Sequence, residues 1–418
     1  MTKSIVVNVD KLAVGMYVDI RLNWSQHPFL FSKFKIKSKS EIDIIKKLVR
    51  EVLVYPQKSD VRPEVPSNAT EESSEPSIER GKSRTQLWDE KQDIIAKANE
   101  YKLSRQKVAK QYREAQKRVR NLCMDLKTSP ANAIRDANLI IDDMTASFAN
   151  AENVLVNLVN LSSSSYSFHN HALNVTVLAF IAGHSLGLKE AELRVLGVSS
   201  ILHDIGKVTL PAGIVNKSEK LTASEEKLLQ GHIVAGVRLV SKIEGIPEQA
   251  LEVIANHHEF LDGSGYPRGV KEKDISTICR LITIADIYDN LCNPRDSAKA
   301  VSPKTAMATL YSKFKGKLDL KLVQHFIQTF GIYPPGTIVE LSDQSTGLVV
   351  SVNSGSALKP KVLLYNPDIP VHQSILLDLS QHDDIDITNV IKAADCPERV
   401  TEYLGIQDKM GYFFDTGK

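Results

Sequence analysis

The sequence predicts a mainly α protein: a helical bundle with a small α+β module and a long charged helix before it and a small β-rich subdomain after it. Three observations carry this. From residue 151 to about 327 apolar residues recur at helical spacing, as in Val175, Leu178, Ala179 and Ala182, then Leu193, Leu196 and Ile201. Residues 57–86 are rich in Ser, Glu, Pro and Lys and poor in large apolar side chains. After Gly331 the cluster Tyr333-Pro334-Pro335-Gly336 marks a turn, and short alternating runs follow.

In chain order, residues 1–56 mix strand-like runs (4–9, 17–22 and 52–55) with an amphipathic stretch at 40–49, which reads as a small α+β module. Segment 57–86 cannot bury enough surface to offset its ordering entropy and reads as a flexible linker. Residues 87–126 hold no proline or glycine, and Ile94, Ala98, Tyr101, Val108 and Tyr112 fall roughly on one helical stripe. Its basic residues are interleaved with acidic ones, as on a solvated face rather than a nucleic-acid arm. This helix can pack within the chain or pair two chains as a homodimer. Pro130 opens another helical region, and Val154, Leu155, Leu158 and Val159 are taken as the start of the bundle. Runs at 337–341, 347–352, 361–365 and 375–378 give the β-rich end. The expected division is a regulatory or interaction module at 1–130, a catalytic helical domain at 131–330 and a β-rich subdomain at 331–418.

With 418 residues the chain is long enough for two or three cores, and 42% hydrophobic with 24% charged residues is ordinary for a globular protein. A formal net charge of +2 gives no general attraction for DNA or RNA. No apolar stretch reaches the roughly 18 residues of a membrane span, and the start MTKSIVVNVDKL lacks the apolar core of a signal peptide. Cys123, Cys279, Cys292 and Cys396 show no close paired spacing, so reduced thiols in the cytoplasm are expected.

Ligand-type residues concentrate in the bundle: His171, His203-Asp204, His232, His257-His258 and Asp286, which include five of the eleven histidines. Imidazole and carboxylate together suit iron, manganese or zinc, and the lack of cysteine among them disfavours a structural zinc. Adjacent helical residues diverge by about 100°, so each pair can address two ions or two faces of one. Asp204 has two oxygens and is the natural bridge. A single buried histidine is more often a hydrogen-bonded core residue. The adjacent pairs shift that balance, because burying two ionisable neighbours without a metal is costly. His169, His184, His325 and His372 match no pattern and are read as structural.

Here a resemblance becomes specific. Leu202-His203-Asp204-Ile205-Gly206-Lys207 resembles the signature of the HD superfamily of metal-dependent phosphohydrolases. The run His257-His258-Glu259-Phe260-Leu261-Asp262-Gly263-Ser264-Gly265-Tyr266-Pro267 resembles the defining motif of its HD-GYP branch. His171-Ala172-Leu173-Asn174-Val175, Gln230-Gly231-His232 and Ala285-Asp286-Ile287-Tyr288-Asp289 follow the branch's other motifs in order, and the likeness spans roughly 150–330. Gly15-Met16-Tyr17-Val18 and the run from Trp24 to Phe29 resemble a module of unknown function often found before such domains.

The resemblance implies hydrolysis of the 3′–5′ phosphodiester of a cyclic dinucleotide, cyclic di-GMP or cyclic GMP-AMP, to the linear dinucleotide and sometimes to mononucleotide, in bacterial second-messenger signalling. It makes His171, His203, Asp204, His232, His257, His258 and Asp286 metal ligands, with iron or manganese as the ions. Lys207 becomes the cation for the phosphate, and Arg295 matches a family arginine that holds a substrate phosphate. Gly265 and Tyr266 shape the site: glycine lets the backbone approach closely, and tyrosine offers a ring and a hydroxyl. Partner proteins are expected at this loop and at the N-terminal module. Two positions depart from the pattern. Ser167 stands where some members carry a glutamate for a third metal, so two ions are expected. Ala298, with Lys299 beside it, stands where a basic residue is usual. A catalytically silent signalling module and a hydrolase of ordinary nucleotides are the competing readings; the intact H-D pair and G-Y-P loop argue against the first, and the intact H-H-E…G-Y-P segment against the second.

Overall fold

The computed structural model describes residues 4–22, 26–61, 83–126, 128–149, 155–160, 167–353, 356–371, 374–382, 384–406 and 410–415. Two units divide the chain: 1–99 with 366–375, and 100–365 with 376–418.

In the first unit, β1 (Ile5–Asn8), β2 (Tyr17–Asp19), β3 (Lys33–Lys35), α1 (Lys39–Leu48) and β4 (Glu51–Val54) form the small α+β fold. The antiparallel sheet runs β1-β4-β2-β3, with Val18 opposite both Phe34 and Val54. Ser38 opens α1 by accepting the Glu41 amide at 3.3 Å, a side-chain cap for an otherwise unpaired backbone donor. Val18, Ile20, Ile36, Ile45, Val52 and Val54 make its core. The sequence does not announce β3, whose Lys-Phe-Lys carries one apolar residue. Most of the expected linker, residues 62–82, lies outside the described residues, as do Trp24 and Ser25.

The helix α2 (Arg84–Asp125) is 42 residues long, and α3 is Pro130–Ala149. From Val108 the stripe predicted for α2 is buried and continues through Tyr112, Ala115, Val119 and Leu122 into the main core of the second unit. Residues 155–160, expected to begin the bundle, instead form β5 (Leu155–Asn160), while Val154 lies outside the described residues. The β-branched valines suit an extended backbone, and the pairing partner that fixes it lies some 250 positions away in sequence, where local periodicity cannot report it.

The bundle follows: α4 (Phe168–Ser185), α5 (Glu190–Leu202), α6 (Ala212–Val215), α7 (Ala223–Gln230), α8 (His232–Val240), α9 (Glu248–Asn256), α10 (Thr277–Cys292), α11 (Pro303–Lys313) and α12 (Leu320–Phe330). Residues 170–183 of α4 are all buried, the pattern of a central helix rather than an amphipathic one. Beyond it β6 (Ile338–Leu341), β7 (Thr346–Asn353), β8 (Ser356–Leu364), β9 (Leu376–Asp378) and β10 (Ile387–Ile391) form an antiparallel sheet in the order β10-β6-β7-β8-β9. α13 (Glu398–Leu404) and β11 (Met410–Asp415) end the chain, and β11 is the strand that pairs with β5. Among the described residues no helix is long and apolar enough to cross a membrane.

Candidate metal centre

The ligand-type residues sit where helices begin, end or pass through the core. His171 lies in the first turns of α4 and Asp286 in the middle of α10. His203 caps the C-terminus of α5, and Asp204 begins the 3-10 turn Ile205–Thr209. His232 is the first residue of α8, and His257 caps the C-terminus of α9. The backbones meet closely here. A Cβ on Gly206 would stand 1.8 Å from the His232 carbonyl oxygen, so only glycine lets the turn after Asp204 rest on α8.

All seven sequence-predicted ligands come together. One group is Asp204, His232, His257 and His258; the other is His171, His203 and Asp204. Asp204 belongs to both. Its Oδ1 lies 3.1 Å from His232 Nε2 and 3.6 Å from His257 Nε2. Its Oδ2 lies 3.6 Å from His171 Nε2 and 3.5 Å from His203 Nε2, and accepts a hydrogen bond from Lys207 Nζ. Asp286 Oδ1 is 3.0 Å from His171 Nε2, and its Oδ2 is 3.8 Å from His258 Nδ1.

The far ring nitrogens fix the tautomers. A carbonyl or an ionised carboxylate only accepts, so each Nδ1 facing one must carry the proton. His203 Nδ1 donates to Ser200 O at 2.6 Å, His232 Nδ1 to Leu229 O at 2.6 Å, and His257 Nδ1 to Ile254 O at 3.1 Å. His171 Nδ1 donates to Asp289 Oδ2 at 2.7 Å. Four Nε2 lone pairs are thereby aimed at the two carboxylates. Buried His203 Nε2 and Asp204 Oδ1 make no hydrogen bond among the described residues. Orphaned acceptors at this depth are costly unless a cation meets them, and nitrogen with carboxylate oxygen is a donor set for a borderline divalent ion. The residues fit a metal.

Charge states agree with that fit. Burial pushes His232 down against the pull of Asp204, and burial, with His257 close by, pushes His258 further down, so both rings are neutral, the form that binds metal. Burial alone would raise the Asp204 carboxyl, but Lys207 and His203 outweigh it and hold it well below the usual range. Asp286 is likewise held low despite burial, chiefly by His171.

The glycine-rich loop after α9 is tied to the same centre. Buried Glu259 accepts the backbone amides of Arg268 at 2.7 Å and Gly269 at 3.0 Å through Oε1. A Cβ on Gly265 would lie 2.4 Å from the Glu259 Cα, so the loop returns against its own start only with glycine there. Tyr266 stacks on His258, with ring centroids 4.8 Å apart. Burial raises the Tyr266 hydroxyl, Asp286, Asp204 and Glu226 raise it further, and Arg295 opposes them. Half-buried Arg295 follows α10, and exposed Lys299 pairs with Asp296 at 3.1 Å. Ser167 is the N-cap of α4, its Oγ 3.5 Å from His169 Nδ1. His325 Nε2 donates to Ala182 O at 3.1 Å, away from the cluster, and His372 lies outside the described residues.

Sequence reasoning assigned no role to Asp289, Asn174, Asn290 or Tyr112. Asn290 Nδ2 donates to Asp286 Oδ1 at 2.7 Å. Asp289 stands one helical turn after Asp286, a spacing that puts the two on one face and was the available signal.

Comparison with known families adds to this geometry. Residues 153–322 match the HD domain, and residues 4–137 match a domain of unknown function (DUF3391). Residues 153–322 therefore carry an HD domain. Cyclic di-GMP phosphodiesterase PA4108 of Pseudomonas aeruginosa is 28% identical over 313 residues, 71% of this chain and 75% of the relative. The 3′3′-cGAMP-specific phosphodiesterase 2 of Vibrio cholerae is 34% identical over 201 residues, 47% of this chain and 38% of the relative. Cyclic di-GMP phosphodiesterase response regulator RpfG of Xanthomonas campestris pv. campestris is 34% identical over 142 residues, 34% of this chain and 37% of the relative. The match thus spans three quarters of the first relative and little more than a third of the other two. All of the clustered residues fall within the stretch that matches the HD domain.

Proposed function

We propose that this HD-domain protein is a metal-dependent phosphodiesterase that opens a cyclic dinucleotide, cyclic di-GMP or cyclic GMP-AMP, at its 3′–5′ phosphodiester to give the linear dinucleotide. The observation that carries the reading is the Asp204 carboxylate, whose two oxygens face two different sets of histidines. The relatives are named for cyclic di-GMP and for 3′3′-cGAMP, and both substrates stay within the proposal.

Two divalent ions, iron or manganese, are the proposed cofactors. His171, His203 and Asp286 would hold one, His232, His257 and His258 the other, and Asp204 both. When bound, such ions supply Lewis acidity and bring a water's pKa toward neutrality, which yields a nucleophile for attack on phosphorus. The chain's own residues do the rest. Lys207 donates to Asp204 and would meet the negative charge growing on a phosphoryl oxygen there. Tyr266 keeps its hydroxyl protonated and therefore donates a hydrogen bond. Arg295 offers paired N–H donors to a second phosphate. Gly265 holds the loop close enough for Tyr266 to sit on His258.

The four cysteines are free thiols, which suits action in the reducing cytoplasm. Protein partners at the 262–267 loop and the N-terminal module, and a homodimer, belong to the same proposal. Turnover of the two substrates, measured side by side by chromatography with Mn²⁺ or Fe²⁺, tests it. Linear product from at least one is expected. No product from either, with metal demonstrably bound, favours a silent signalling module.

A further inference from the structure

We infer that Tyr112, on the helix that precedes the HD domain, is a positioning residue of the metal centre, acting through Asn174 and Asp289 on His171. This rests on reading His171 as a metal ligand.

The chain of contacts is continuous and buried. The Tyr112 hydroxyl, 0% exposed, donates to Asn174 Oδ1 at 3.1 Å. Asn174 Nδ2 donates to Asp289 Oδ1 at 2.9 Å, and Asn293 Nδ2 donates to the same oxygen at 2.8 Å. Asp289 Oδ2 takes the His171 Nδ1 proton at 2.7 Å. Each contact constrains the next. A hydroxyl donating to Oδ1 sets which end of the Asn174 amide is oxygen, so that the NH₂ faces the carboxylate. Without that donor a flipped amide would aim its oxygen at Asp289. Asp289, held from two sides, in turn keeps the His171 ring turned with Nε2 toward Asp204 and Asp286. Carboxylates that hold a ligand's second nitrogen set its orientation and basicity, and losing such partners costs about 10–100-fold in metal affinity.

A second contact strengthens the geometry. Gln116, one turn after Tyr112, donates to Asn170, one turn before Asn174. Two residues of α2 thus hold two residues of α4 that flank His171 in sequence. Tyr112 and Gln116 fall inside residues 4–137, matched by the domain of unknown function, and outside residues 153–322, matched by the HD domain. A segment outside the HD domain therefore supplies part of the support of its metal centre.

The test is Mn²⁺ titration of the full-length apo protein by calorimetry, with melting of the apo form alongside. Tyr112→Phe keeps the ring and removes only the donor. Mn²⁺ affinity at one site should fall about 10–100-fold, and the Mn²⁺ concentration for half-maximal turnover should rise with it. Asn174→Ala should give a similar loss, and the double variant little more than either alone. Unchanged Mn²⁺ affinity in Tyr112→Phe overturns the inference, even if the apo protein melts earlier; so do fully additive losses. His171→Ala separates the two readings. It should remove one Mn²⁺ site, and undiminished binding there overturns the metal assignment itself.

Discussion

His232 Nε2 lies 3.1 Å from Asp204 Oδ1, on the oxygen opposite the one that accepts from Lys207. One carboxylate therefore serves a histidine set on each side. Asp204→Ala should abolish turnover and release both ions, as read by product chromatography and metal analysis. His184→Ala, at the last turn of α4 and outside the cluster, should change turnover little. Retained activity in Asp204→Ala would sink the bridging role.

Lys207 and Asp204 touch, yet their roles separate. Lys207→Met should lower kcat by about 10²–10³ as one charge-stabilising donor is lost. Both ions should stay bound, because Lys207 is no ligand and the Asp204 carboxylate remains. Loss of metal together with kcat would recast Lys207 as support for the ligand.

Glu259 ties down the loop that carries Tyr266. Glu259→Ala strands two backbone donors, those of Arg268 and Gly269, at about 1–3 kcal/mol each if they stay buried. The melting temperature should fall and KM for the cyclic dinucleotide should rise severalfold, with a smaller change in kcat. An unchanged KM would remove the loop from substrate binding.

In the first unit, His27 is fully buried, with Nε2 3.0 Å from Ser32 Oγ, and its backbone oxygen accepts from Lys91 Nζ at 2.8 Å. Burial, and then the Lys91 charge, lower its pKa from 6.5 to about 4. As pH falls below 6.5 the unfolded chain takes the proton first, so this contribution to stability is whole above 6.5 and lost on the way down to 4. Thermal melts across that window should show a slope that His27→Gln flattens, and the His27 ring should titrate near 4 by NMR. A His27 midpoint near 6.5 would contradict this.

The residues that cluster could be named from the sequence because each motif is short and local: a His-Asp pair at a helix end, a His-His pair at another, an aspartate in an apolar helix. The bundle and the β-rich end were legible from period. What escaped was set by distant partners. β5 reads as helix until β11 pairs with it. Tyr112 reads as one more apolar residue on a stripe, and its hydroxyl gains meaning only from Asn174, 62 positions away. Asp289 meets His171 across 118 positions, and no local pattern encodes that contact.

Metal stoichiometry joined to turnover tests the central claim most directly. Protein purified without oxygen and loaded with Mn²⁺ or Fe²⁺ should hold two ions per chain and convert a cyclic dinucleotide to its linear form. Two-ion loading and hydrolysis should disappear together in Asp204→Ala. Three tightly bound ions per chain, or hydrolysis that persists once the ions are stripped, would contradict a two-metal centre bridged by Asp204.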